Sequence, residues 1–251
     1  MQDVKRIAPF YDVNFEALSY PSKNLISLAN SILCNLKAEQ FTSVAKEVSS
    51  ALWLGQEEKL KELNKIYNST DSEVSNKLND GNEIRNNCDY YFGSAFYYEK
   101  ELYWGVDRLN HLETRLAELG IKKTTDNEFI CNLNVTAPNE FSSEDKLNLT
   151  FYPSLNSPYT FVSAKKVKDL VKDYPIDLIT KPVLPMLMRM MVIPTFKAKY
   201  IISDAAREGR KYGYEMKSIY SPIGKPARLA YSLFPIIDNL GKGFEYIDGL
   251  L

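Results

Sequence analysis

The sequence predicts a helix-rich α/β fold, and three observations support that prediction. The chain has 251 residues, and roughly its first 40 resemble roughly its last 40. Between these ends lie a short aromatic hairpin pattern at 95–104 and a strand–helix–strand pattern at 147–179. Both ends show the three- and four-residue spacing of apolar side chains that is typical of helices, so strands are expected only in the middle of the chain.

The two ends align when Asp3 is set on Asp204, which lies 201 positions later. Six further pairs then coincide: Arg6 with Arg207, Tyr11 with Tyr212, Pro21 with Pro222, Leu28 with Leu229, Ala29 with Ala230, and Ser31 with Ser232. After a small insertion, Asn35-Leu36 meets Asn239-Leu240 and Phe41 meets Phe244. The chain holds barely one such period, so it is expected to begin and end inside the same kind of element.

Composition excludes several classes of protein. Lys+Arg total 31 and Asp+Glu total 32, and this balance argues against a general nucleic-acid binder. No apolar run reaches the roughly 18 to 20 residues that span a bilayer, so no membrane partner is expected. Cys34, Cys88 and Cys131 form no C-x-x-C pair, and there is one histidine. We therefore expect no disulfide framework and no metal site, and predict a soluble cytoplasmic protein.

The first third of the chain reads as helices. Apolar residues recur at helical spacing from Leu25 to Leu52, with Ser22 or Asn24 as the first cap. A short helix is expected after the polar break at 68–71. Two aromatic runs then flank Glu99-Lys100-Glu101 and predict a β-hairpin. Asp107 is expected to cap the helix that follows, which ends at Gly120.

Residues 121–146 are polar and lack periodicity, so they predict a linker. Strands are expected at 147–152 and 176–179, with a helix opened by Ser157-Pro158 between them. This is a βαβ unit, whose strands are predicted to be parallel. Helices resume at about Thr195. A hairpin-plus-helix followed by a βαβ unit amounts to the two halves of a thioredoxin fold in reversed chain order.

The Ser157-Pro158 turn, where a predicted strand leads into a predicted helix, is a candidate chemical site. Proline suits the first helical position, and Ser157 lies where backbone N–H groups and the helix dipole point outward. A thiolate or another anion bound there would be stabilised. The alternative is that Ser157 is a plain N-cap, which is common.

This segment resembles the opening of the 2-hydroxychromene-2-carboxylate isomerase and kappa-class glutathione transferase group, which belongs to the DsbA-like thioredoxin superfamily. Ser157 matches the active-site serine of the F-x-x-S-P-Y turn, and Pro158 and Tyr159 match the residues after it. The resemblance extends to the K-x-x-Y-x-x-x-D-x-x-R helix, matched by Lys197, Tyr200, Asp204 and Arg207. It implies glutathione as cofactor, with Ser157 as the catalytic residue.

The first half resembles the C-terminal segment of the same group, F-G-V-P-x-F followed by W-G-x-D-R-L. Here the second motif reads Trp104 to Leu109. The resemblance implies that Val106, Asp107 and Arg108 receive the γ-glutamyl end of glutathione, with Asp107 accepting its ammonium group. The alternatives are that Asp107 caps a helix and that Arg108 braces its own turn. Ala95 stands where relatives carry a cis-proline.

Two organisations stay open. In the first, 1–120 is the C-terminal part of one DsbA-like domain, 121–146 is a linker, and 147–251 is the N-terminal part of a second, so that the chain is a central piece of a tandem protein. In the second, the chain is a permuted single domain whose halves pair.

The resemblance predicts a glutathione-dependent isomerase that acts on a small conjugated molecule. The alternatives are a kappa-like glutathione transferase and a non-catalytic thioredoxin-like binding protein. A homodimer is an open alternative for the assembly. The missing cysteine pair excludes a disulfide oxidoreductase.

Overall fold

A computed structural model describes residues 2–17, 19–90, 93–124, 128–131 and 146–251. The chain divides into two units, Met1–Asn87 and Cys88–Leu251. The first unit is helical, and the second combines helices with two short strand pairs. The predicted helix-rich α/β class is therefore confirmed, whereas the thioredoxin-like identity stays a prediction.

The first unit is a set of helices around a leucine- and valine-rich core. Its elements are α1 (Gln2–Ile7), a 3₁₀ turn (Ala8–Tyr11), α2 (Lys23–Cys34), α3 (Ala38–Trp53), α4 (Glu57–Tyr67) and α5 (Asp71–Asn87). Ser22 caps α2 by accepting a hydrogen bond from the Leu25 N–H at 3.3 Å. The apolar faces of α2, α3 and α4 meet, and Ile32 and Leu60 are fully buried there.

The second unit begins with the predicted hairpin and helix. Strand β1 (Ala95–Tyr98) pairs antiparallel with β2 (Glu101–Trp104), with Ala95 opposite Trp104. A 3₁₀ turn (Val106–Arg108) leads into α6 (Leu109–Glu118). The hairpin prediction is confirmed. The predicted cap is wrong, because Arg108 and not Asp107 occupies the capping position of α6.

The βαβ unit follows and is also confirmed. Strand β3 (Leu147–Phe151) pairs in parallel with β4 (Ile176–Thr180), and α7 (Pro158–Asp173) connects them. A 3₁₀ turn (Met186–Arg189) then precedes α8 (Thr195–Lys211), α9 (Lys225–Asn239) and α10 (Gly243–Leu250). Within the described residues the two strand pairs form separate sheets.

The division of the chain differs from the boundaries of the tandem organisation, one of the two that the sequence leaves open. The hairpin and α6 were expected to share a domain with the first helices, but they belong to the second unit. The physical reason is a set of hydrogen bonds from the hairpin region to α8, among them Trp104 N–H to the Tyr200 hydroxyl at 3.2 Å. Most of the predicted linker, 125–127 and 132–145, lies outside the described residues. The assignment of the two halves to two DsbA-like domains stays a prediction.

The similarity of the two ends extends to backbone geometry. The Val13 N–H donates to the Ala8 carbonyl at 3.0 Å, and 201 positions later the Tyr214 N–H donates to the Gly209 carbonyl at 2.8 Å. The residue before each donor is left-handed, with φ +53° at Asp12 and +77° at Gly213. Both ends therefore close this helical segment with the same left-handed turn.

No helix in the described part of the chain combines the length and apolar character needed to cross a bilayer.

The core of the first unit can be tested at two isoleucines of α2. Ile32 is 0% exposed and Ile26 is 41% exposed. We expect Ile32→Ala to lower the free energy of unfolding by about 2–5 kcal/mol, because it deletes buried methyl groups and leaves a cavity. The fluorescence of Trp53 during urea denaturation, in a Trp104→Phe background, reports on this unit. Ile26→Ala is the matched control, and an equal loss in both variants would contradict the placement of Ile32 in the core.

Candidate functional site

The turn before α7 places Ser157 at the helix N-terminus. The Ser157 Oγ accepts a hydrogen bond from the Thr160 N–H at 3.3 Å, and Pro158 occupies the first helical position. The Ser157 N–H donates to the Ser154 carbonyl at 3.0 Å, which closes the turn. Ser157 is therefore an N-cap, as its alternative interpretation expects, and the orientation of its side chain is fixed by this role.

Ser157 also lies on the wall of a cavity of about 420 Å³. The Ser157 turn forms one side of this cavity, and the segment 215–220 and the end of α10 form the rest. Ser221 Oγ donates to Asn156 Oδ1 at 3.0 Å and joins the two sides. The Tyr231 hydroxyl of α9 accepts a hydrogen bond from the Leu155 N–H at 3.1 Å and donates one to the Val183 carbonyl at 2.9 Å. These two hydrogen bonds connect α9 to the Ser157 turn.

A buried carboxylate organises the other predicted residues. Asp204 on α8 is 1% exposed, and its two oxygens each lie 3.0 Å from Arg108 Nε. The Tyr159 hydroxyl donates to Asp204 Oδ2 at 2.6 Å, and the Tyr200 hydroxyl donates to Oδ1 at 3.3 Å. A buried carboxylate is tolerated when a cation and further donors satisfy it, and all of these are present.

The same helix face holds the hairpin. The Tyr200 hydroxyl accepts the Trp104 N–H, and Arg207 Nη2 donates to the Leu102 carbonyl at 3.0 Å. The Arg207 guanidinium also lies 4.2 Å from the centre of the Tyr103 ring, which is typical of a cation–π contact. Tyr200, Asp204 and Arg207 are three of the four residues of the K-x-x-Y-x-x-x-D-x-x-R pattern. The fourth, Lys197, is half-buried in the first turn of α8.

Burial and Asp204 together perturb the neighbouring tyrosines. Burial, reinforced by the Asp204 carboxylate, raises the pKa of Tyr200 to about 12. The same two causes, with the hydrogen bond to Asp204, raise the pKa of Tyr159 further. Burial alone would lower the pKa of Arg108, but Asp204 and Glu208 outweigh it and raise this pKa. These groups therefore stay in their neutral or paired forms at neutral pH and act as structural donors.

The 3₁₀ turn holds the predicted ligand residues Val106, Asp107 and Arg108. Asp107 Oδ2 lies 2.6 Å from Arg108 Nη1, and its side chain is 56% exposed. Gly105 has φ +87°, and a Cβ atom there would lie 2.9 Å from Asp107 Oδ1, so this position requires glycine. Arg108 braces its turn, as its alternative interpretation expects, while Asp107 leaves part of its carboxylate open to a ligand.

The structure thus brings Tyr159, Asp107 and Arg108 to one network, and it places Ser157 and Pro158 two and one residues before Tyr159.

The contact between His111 and Glu208 was not predicted from the sequence. His111 Nε2 lies 2.5 Å from Glu208 Oε1, and its side chain is 11% exposed, so it is no surface histidine. The hydrogen bond with His111 holds the pKa of Glu208 below its usual range against the effect of burial. The Asp204-to-Glu208 spacing, i to i+4, signals a shared helix face but does not reveal these partners.

Comparison with known protein families, with curated proteins and with solved structures finds no match for this chain.

The contribution of Asp204 to stability can be compared with that of Asp3, its counterpart in the first unit. Asp3 pairs with Arg6 at the same i, i+3 spacing, but its side chain is 88% exposed. We expect Asp204→Asn to lower the free energy of unfolding by about 3 kcal/mol, because the half-buried Arg108 loses its main counter-charge and the Tyr159 and Tyr200 hydroxyls lose a charged acceptor. Asp3→Asn should leave it unchanged, since exposed pairs contribute little. Thermal and urea denaturation of both variants would show the difference, and similar stabilities would contradict a central role for Asp204.

The raised tyrosine pKa values predict a loss of stability in alkali. Tyrosine in the unfolded chain ionises near pH 10, whereas Tyr200 in the folded chain ionises at about 12. The unfolded state therefore releases the proton first, and the stability contributed by Tyr200 is complete below pH 10 and is lost between about pH 10 and 12. When denaturation is measured over this pH range, the stability of Tyr200→Phe should decline less steeply with pH than that of the parent. Tyr220→Phe, at an 87% exposed site, should decline like the parent.

Proposed function

We propose that the chain binds glutathione and acts as an isomerase of the 2-hydroxychromene-2-carboxylate isomerase type. One observation carries this proposal: Ser157, matched to the active-site serine of that group, caps a 16-residue helix and lines a cavity of about 420 Å³. A cavity of this size is in the range of small-molecule sites.

The hydrogen bonding of Ser157 suits a role toward an anion. Its Oγ accepts the Thr160 N–H through a lone pair, and this leaves its own proton available. The backbone N–H groups of the first turn of α7 add positive potential at the same point. A thiolate in the cavity would receive both contributions.

The residues proposed for the remainder of glutathione lie in the same unit. Asp204 connects Arg108 to Tyr159, so the 3₁₀ turn and the start of α7 are held in one network. Asp107 would accept the ligand's α-ammonium, and the backbone of Val106 would approach its carboxylate. Lys197, Pro158 and Tyr159 complete the proposed binding set.

Glutathione, when bound, would supply a thiolate that adds reversibly to a conjugated substrate and permits bond rotation before it leaves. Ser157 would donate a hydrogen bond to the sulfur and so keep it ionised. The apolar part of the lining, with Phe161 and Leu155, would favour a flat organic substrate. A kappa-like transferase would use the same site on a different electrophile. The predicted reducing cytoplasm would provide the reduced thiol.

A second candidate function is a non-catalytic thioredoxin-like binding protein, and one observation favours it. The peptide bond between Ser94 and Ala95 is trans, since the described part of the chain contains no cis peptide bond. Ser94 has φ +58°, and its carbonyl accepts the Gly105 N–H at 3.0 Å. The backbone at the position where the resembled group carries a cis-proline is therefore shaped differently here.

Ser157→Ala tests the proposal. Removal of the hydroxyl should raise the thiol pKa of bound glutathione by about one to two units, because a hydrogen bond to a charged group contributes about 1.5–3 kcal/mol. The ultraviolet absorbance of the thiolate during a pH titration measures this, and calorimetry measures binding. Ser163→Ala is the control, since Ser163 lies on the same helix and its hydroxyl donates only to the Thr160 carbonyl. If Ser157→Ala binds glutathione and the thiol pKa of the bound glutathione is the same as in the parent, the non-catalytic function is favoured. No binding of glutathione by the parent chain would overturn the glutathione proposal.

A further inference from the structure

An apolar stripe runs along the outer side of α9. Its four members are all exposed: Leu229 by 63%, Leu233 by 42%, Ile236 by 63%, and Leu240, the C-cap residue directly after α9, by 74%. They follow one another at spacings of four, three and four residues, which places them on one narrow face of the helix. This is the spacing of the a and d positions through which one helix packs against another.

The opposite side of α9 is already used by the second unit. Ala227 is fully buried, and the Tyr231 hydroxyl bonds to the turns at Leu155 and Val183. The Ala230 carbonyl accepts the Tyr246 hydroxyl of α10 at 3.0 Å. The orientation of α9 is therefore set, and the stripe cannot turn inward without breaking these contacts.

The first unit shows what covers such a stripe, because α2–α3 repeats α9–α10. Both pairs are joined by three residues, 35–37 and 240–242, and the next helix has a lysine at its N-cap position, Lys37 and Lys242. Val44 in α3 and Ile247 in α10 are both buried. The two helical hairpins are thus equivalent in connection and in burial.

The equivalent positions of α2 are covered. Leu229 corresponds to Leu28 and Leu233 to Ile32. Ile32 is 0% exposed, and Leu28 packs against the same core. Helix α4 packs against α2 in this core: it directs Leu60 and Leu63 into the core and keeps its Lys and Glu side chains outside.

We propose that the α9 stripe is a docking site for an amphipathic helix that carries leucines at i and i+3 and a charged outer face, in the manner of α4 on α2. The heptad spacing indicates a helix, and the covered copy in the same chain indicates its chemistry. This proposal is independent of the Ser157 site, so either can fail alone.

A helical peptide that reproduces α4 tests the docking site directly. Residues 56–68 would be synthesised with a hydrocarbon link in place of the exposed Glu58 and Glu62, because a free helix of this length is marginal in water. Fluorescence anisotropy with the whole protein should show saturable binding to one site. A peptide with both Leu60 and Leu63 replaced by alanine should bind at least about tenfold more weakly.

Variants of the protein locate the site. Leu233→Glu should weaken peptide binding at least about tenfold, because it places a charge in the apolar α9 stripe. Ile202→Glu is the matched control, since Ile202 is also 42% exposed but lies on α8. Leu240→Lys, at a 74% exposed position, provides a second test whose folding is not in question.

Three results would overturn the proposal. The first is the absence of saturable binding, and the second is equal binding to the parent and to Leu233→Glu, which would place the peptide elsewhere. The third is a dimer in sedimentation velocity that Leu233→Glu abolishes and Ile202→Glu preserves. In that case the stripe is covered by a second copy of the chain.

Discussion

The buried carboxylate of Asp204 is the constraint on which the second unit depends. A charge without access to water is costly, so every segment that touches it must supply a donor or a cation. Arg108 comes from the turn after the hairpin, Tyr159 from the start of α7, and Tyr200 from α8 itself. Segments that are distant in sequence are thereby brought to one point, and the Ser157 turn is positioned as a consequence.

The duplicated ends provide an internal comparison. Asp3 and Arg6 lie 3.6 Å apart, as do Asp204 and Arg207. One pair is exposed and the other is buried, so the ion pair alone does not determine its environment. The hairpin and α7 pack against the second pair. Helix α4 packs against α2, whereas the leucine stripe of α9 stays exposed. Equivalent helices are therefore buried to different extents because different elements pack against them.

Local signals predicted the elements well. The hairpin at 95–104, the parallel βαβ unit and the capping role of Ser157 all follow from patterns within a few residues, and each is confirmed. Asp107 was expected to cap α6 because aspartate often precedes a helix. It pairs with Arg108 instead, since a nearby guanidinium competes for its carboxylate. The partner of His111 and the division at Asn87 depend on contacts about a hundred residues apart, which no local pattern records.

The sequence by itself determined the helix-rich α/β class, the order of the elements and the residue types at the Ser157 turn. These depend on periodicity, capping and turn chemistry, which act over short distances. Only the tertiary structure decided which Asp–Arg pair is buried, which stripe of leucines stays exposed and which segment forms the wall of the cavity beside Ser157. Burial is a property of what packs against a residue, and the same helix sequence is compatible with either outcome.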